Sequence, residues 1–132
     1  VLVRHLQDAP VEEWHRLRSR ILMDAGELGS RNLSVTWLEV LPGDAQSLHS
    51  DEEAEQVYVV VRGTAKMSVA GDNQAISEGD LILVPPATDH EITNEGGSEF
   101  ACVSIQSPPV ASSELYGRQL AEVSGYDEDE DY

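Results

Sequence analysis

GDAQSLHSDEEAEQVYVVVRG (Gly43–Gly63) and EGDLILVPPATDHEITN (Glu78–Asn94) decide how this 132-residue chain folds. Each stretch is bounded by turn glycines and filled with strand-forming residues. In the first, Gly43 is followed by His49, Asp51, Gln56 and the closing Gly63. In the second, Gly79 is followed by Pro85, Ala87, His90 and Asn94. Alternate residues of a strand share a face. His49 and Asp51 therefore point together if that segment is extended, as do Gln56 and Tyr58, and His90 and Ile92. A closed sheet lets the three sets converge. Imidazoles with a carboxylate suit a divalent first-row metal such as Fe(II), Mn, Ni, Cu or Zn. Calcium and magnesium want more oxygens than this. Glu55 is the register alternative to Gln56 and points outward if Gln56 points in.

Outward from this core the chain reads as short strands separated by turns. Leu33, Val35 and Trp37 alternate over Arg31–Leu41, a period-2 strand with Trp37 expected in the core. Pro42-Gly43-Asp44 turns into the first stretch, and Gln56–Arg62 reads as a central strand. Gly63-Thr64 is a tight turn before strand Ala65–Ala70, and Gly71-Asp72-Asn73 makes the next hairpin. Strands follow at Leu81–Val84, His90–Thr93 and Glu99–Gln106, with Pro85-Pro86 ending the first of them. Such spacing reads as an antiparallel sandwich or barrel.

The flanks are less regular. Val1–Ala9 alternates weakly and is expected as an edge strand. Pro10–Trp14 reads as a helical turn, with proline at its start and acids in its first turn. Arg16, Arg18 and Arg20 form either an anion-binding face or an edge that offsets acidic surface. Ser112 or Ser113 caps a short helix to about Val123. Asp127–Asp131 is an acidic run too charged to pack, expected as a disordered tail.

The two stretches resemble the paired motifs of the cupin superfamily. The second motif matches at Gly79, Pro85, His90 and Asn94, with Ala87 where a glycine is usual. The first matches at Gly43, His49 and Gly63. It departs at Asp51, where a second histidine is usual, and at Gln56, where a glutamate is usual. The resemblance implies an all-β, double-stranded β-helix (jelly-roll) fold: one barrel domain over residues 1–125, its motif core at 43–94, followed by the tail at 126–132. It further implies a metal held by His49, Gln56 and His90 with Asp51 as a further ligand, and frequent homodimers through N-terminal strands. His49, Asp51 and His90 also form a two-histidine, one-carboxylate set of the kind found in non-haem iron oxygenases. Enzymes of that set that use 2-oxoglutarate carry an arginine downstream of the second histidine. Residues 100–104 contain none.

Composition narrows the partners. Formal net charge is −17, with 8 Lys and Arg against 25 Asp and Glu. That field repels nucleic acid and anionic membrane. No apolar run reaches the roughly 20 residues that span a bilayer. The single cysteine, Cys102, excludes an intrachain disulfide and reads as a small buried residue. Cytoplasm is the default compartment. The expected function is a metal-dependent enzyme acting on a small organic substrate, a sugar acid or another carbonyl or carboxylate compound. Its chemistry would be that of an isomerase or lyase, or of an O₂-dependent dioxygenase. Tyr58 and Asp51 are the candidate proton-transfer groups. The alternative is a non-catalytic module that binds a sugar or other small molecule.

Overall fold

The computed structural model describes residues 1–14, 17–50 and 52–111, and for Trp14 and His49 the backbone alone. Ten strands follow in order: β1 (Val11–Trp14), β2 (Leu17–Met23), β3 (Ser34–Val40), β4 (Ala45–His49), β5 (Glu55–Arg62), β6 (Thr64–Val69), β7 (Asp72–Ser77), β8 (Leu81–Val84), β9 (Asp89–Thr93) and β10 (Phe100–Ser107). They form a six-stranded sheet in the order β1-β2-β3-β10-β5-β8 and a four-stranded sheet in the order β4-β9-β6-β7. Every pairing is antiparallel. The fold is the expected all-β jelly roll of two facing sheets.

The inner face of the six-stranded sheet is graded along its length. Register sets Leu17 beside Val40 and Phe100, and then Leu38 beside Cys102 and Val60. These side chains are buried and form one end of the core. The next row is Thr36, Ser104 and Tyr58, and beyond it come Ser34, Gln106 and Gln56. All six are also buried, so the barrel interior changes from hydrocarbon to hydroxyl and amide within two rows. The four-stranded sheet closes over this face with Leu48, Met67, Ile76, His90 and Ile92.

Two turns explain why the sheets close where they do. Gly63 joins β5 to β6 with φ 85°, and a Cβ there would lie 2.6 Å from the Glu99 carbonyl oxygen. Only glycine allows that crossing. Asn94 is fully buried. Its Nδ2 donates to the carbonyls of Val40 and Ser98, and its Oδ1 accepts from Gly96 N–H. Its backbone N–H donates to Asp44 and its carbonyl accepts from Gly43 N–H. One residue thus ties the end of β3, the turn before β4 and the loop before β10.

Four sequence expectations are corrected. Val1–Ala9 is not a strand; it holds one 3₁₀ turn, Leu6–Asp8, whose Gln7 N–H donates to His5 Nδ1. Pro10–Trp14 is not a helical turn. Residues 11–14 are β1, paired with β2, where Glu13, one of the two acids that suggested a helix start, stands opposite Arg18 across the ladder and pairs with it. Trp37 is not in the core. It lies on the outer face, donating Nε1–H to Glu39 at 2.8 Å beneath the Arg62 guanidinium. The β6–β7 hairpin turns at Ala70-Gly71, one place earlier than expected, with positive φ at both residues, the backbone of a type I′ turn. The short helix to Val123 and the acidic tail lie outside the described residues.

Candidate active site

β5 carries Gln56 and Tyr58 on its inner face, and Glu55 is exposed. β9 brings His90 inward from the opposite sheet, because Leu48 and Val69 flank it in register on the buried face. The two sheets meet at Tyr58 Oη, which lies 2.8 Å from His90 Nε2. The rings are tilted at 58° with centroids 5.5 Å apart.

Chemistry fixes the direction of each bond. His90 Nδ1 lies 3.1 Å from the Thr88 carbonyl, which can only accept. Nδ1 therefore holds the ring proton in the neutral imidazole, and Nε2 is the lone-pair atom. Tyr58 O–H donates to Nε2 and in turn accepts from Gln56 Nε2 at 3.0 Å. The Gln56 amide also donates to Ser104 Oγ at 2.8 Å. A second chain runs beside it: Val110 N–H donates to Ser34 Oγ, which donates to Gln106 Oε1. Ser50 Oγ reaches the same Thr88 carbonyl as His90. The result is a buried polar chain in which His90 Nε2 faces the Tyr58 phenol.

Tyr58, Gln56 and His90 are thus brought together. Asp51 and the His49 side chain lie outside the described residues. The backbone sets His49 at the last position of β4, opposite Asp89 and next to the Leu48–His90 pair. Ser104, Ser34, Thr36 and Gln106 were missed in the sequence. The signal that could have found them is that small polar residues alternate with apolar ones in both β3 and β10.

The described donors fit a metal in one respect and not in another. His90 is held in the tautomer a ligand needs, with its second nitrogen on a backbone carbonyl. Against that, the Gln56 amide is turned to Tyr58 and Ser104, and no three His, Cys, Asp or Glu side chains among the described residues come together as a metal-holding group. The other two expected ligands, Asp51 and the His49 side chain, are not among the groups described.

Cys102 lies in the apolar row and is 1% exposed. Burial pushes its thiol up to about 12, so it is inert as a nucleophile. Arg18 and Arg20 lie on the outer face of β2, away from the Tyr58–His90 contact, and Arg18 is paired with Glu13 and Glu39. Among the described residues, no helix is long and apolar enough to cross a membrane.

Comparison with known proteins supports the fold and bounds the function. The chain is 33% identical over 110 residues to a putative mannose-1-phosphate guanylyltransferase of Vibrio cholerae; the match takes in 80% of this chain and 23% of that one. The chain therefore spans about a quarter of that relative. Among solved structures, ectoine synthase from P. lautus superposes with a TM-score of 0.75 at 16% identity, covering 89% of this chain and 86% of that one. A predicted oxalate decarboxylase from Thermotoga maritima does so with a TM-score of 0.73 at 16% identity, covering 81% and 99%. At those identities the two structures share the fold alone. The family model described as the Cupin domain matches residues 36–106, from within β3 to within β10, and the chain belongs to the cupin family.

Proposed function

We propose that this domain is a metal-dependent enzyme acting on a small polyhydroxylated or carboxylated molecule at the polar end of the barrel, with Tyr58 moving the proton. The carrying observation is the buried Tyr58 Oη–His90 Nε2 contact of 2.8 Å. The contact sets the phenol beside the nitrogen that would hold the metal, within reach of a substrate bound there, so that Tyr58 can give up and recover a proton. The Thr88 carbonyl holds the ring in place, and Gln56 stabilises the phenolic oxygen as charge develops on it. Ser34, Thr36, Ser104 and Gln106 supply the hydroxyl and amide groups that suit a sugar or sugar acid. The relative named for mannose 1-phosphate supports a sugar-like substrate. A divalent metal would take His90 Nε2 in place of the Tyr58 hydrogen bond, together with His49 and Asp51, and would supply a Lewis acid toward a carbonyl or carboxylate oxygen.

The test is metal content and turnover of the chain beside two variants, against a panel of aldoses, sugar phosphates and sugar acids. Near-stoichiometric metal that falls in His90→Ala is expected. Tyr58→Phe should keep its metal and lose roughly a hundredfold in rate. No metal after anaerobic reconstitution with Fe(II), Mn, Ni, Cu or Zn, together with saturable sugar binding, would overturn the enzyme. It would establish the second reading, a non-catalytic sugar-binding module, which the mutual satisfaction of Gln56, Tyr58 and Ser104 favours.

A further inference from the structure

The barrel has a second opening, on its flank. β8 is the last strand of one sheet and β7 the last of the other, and between them lies a cleft of about 420 Å³. Small-molecule sites are of this size. Its floor is Met67, Val69, Ile76 and Ile82. Met67 and Ile76 belong to the buried core, and Val69 and Ile82 pack against it partly buried. Register sets Ile82 beside Tyr58 and Val69 beside His90. The cleft therefore lies on the side of those two residues away from Ser104 and Leu48.

The rim differs from the floor. Val69 stands opposite Asp72, and Met67 opposite Gln74. Cross-strand partners share a face, so Asp72 and Gln74 occupy core-facing positions. Both are nonetheless exposed, because the cleft opens beside them. Asp80 lines the cleft from the β8 side. It has a structural duty, since its Oδ2 accepts from Ser77 N–H at 2.8 Å. Asp72 has none: its carboxylate makes no hydrogen bond or ion pair among the described residues. No lysine or arginine lines the cleft.

We propose that this cleft binds an aliphatic primary amine, with its hydrocarbon chain on the floor and its ammonium group at the carboxylates of Asp72 and Asp80. The floor takes an alkyl chain out of water. The rim offers that chain's ammonium a charge-assisted hydrogen bond at Asp72 and a further acceptor in the Gln74 amide oxygen. It offers an anion no partner but repulsion. The formal charge of −17 draws cations toward the same opening. Binding here needs neither a metal nor turnover at the polar end of the barrel.

The test is titration of the 132-residue chain with n-hexylamine at neutral pH and low salt, followed by the methyl resonances of Met67, Val69, Ile76 and Ile82. Titrations with 1-hexanol and hexanoate run beside it, and circular dichroism is the folding control for each variant. Hexylamine should shift the four residues together and saturably, roughly tenfold more tightly than hexanol. Hexanoate should leave them in place. Asp72→Asn keeps the shape of the rim and should bring hexylamine close to hexanol. Asp72→Lys should reverse the order, so that hexanoate binds and hexylamine does not. Glu91→Lys makes the same change of charge on the outer face of the four-stranded sheet and should leave the order as it was. Methyls unmoved by hexylamine would overturn the proposal. So would equal affinity for hexylamine and hexanol, or a preference lost equally in Glu91→Lys, which would trace it to the charge of the whole chain.

Discussion

The two ends of the barrel interior are built from the same strands and do opposite work. At one end β2, β3, β5 and β10 contribute Leu17, Leu38, Val40, Val60, Phe100 and Cys102, all buried. A few residues along, β3, β5 and β10 contribute Ser34, Thr36, Gln56, Tyr58, Ser104 and Gln106, equally buried. The first end gains stability from removing hydrocarbon from water. The second gives up that gain and holds polar groups that must satisfy one another. Holding reactive groups in a dry, fixed array is useful for chemistry and weak as a source of stability.

The largest expected effect that tests this contrast is Phe100→Ala. Its side chain is fully buried, and truncation should cost about 3–5 kcal/mol, read as a lowered midpoint in urea unfolding. Tyr58→Phe keeps the ring and removes only the hydroxyl that joins His90 to Gln56. It should cost about 1–3 kcal/mol in the same measurement. If the two substitutions cost the same, the ends are not different in kind.

The third prediction concerns pH. The folded Cys102 thiol is raised to about 12 from an ordinary 9.0. Its contribution to stability is complete below pH 9.0 and is lost as pH rises from there towards 12, because the unfolded chain ionises first. Unfolding midpoints measured up that range should fall, and fall less in Cys102→Ala. The smallest effect is at Ala87, where φ is 54°, the left-handed region disfavoured for any residue with a Cβ. Ala87→Gly should stabilise by up to about 1 kcal/mol, net of the added freedom of the unfolded chain.

The strand frame was legible because turn residues mark it: Pro42-Gly43, Gly63, Gly79 and Pro85-Pro86 fall where strands end. The pairing of Gln56 with Tyr58 on one face followed from alternation alone. What alternation does not supply is which phase faces in. In β3, Val35 and Trp37 alternate with Ser34 and Thr36, and the ordinary rule buries the apolar set. Here the polar set is buried, with Ser34 bonded to Gln106 inside the barrel, and the apolar set faces out. The same inversion hid Ser104 and Gln106 in β10. β1 was misread for a local reason. Glu12 and Glu13 after Pro10 carry the marks of a helix start, and only the partner strand, with Arg18 opposite Glu13, makes them a hairpin.

Asn94 has a consequence for the lifetime of the molecule. Its amide gives both protons to carbonyls, of Val40 and Ser98. Hydrolytic loss of that amide would leave a carboxylate with nothing to donate, buried against two oxygens. A reaction that is silent on most protein surfaces would here unlatch β3, the turn at Gly43 and the loop before β10 together. The residue is sealed from solvent, and the rigid backbone bonds on both sides of it hinder the ring closure that deamidation requires. The latch therefore guards its own chemistry: ageing can reach it only in molecules that have already opened.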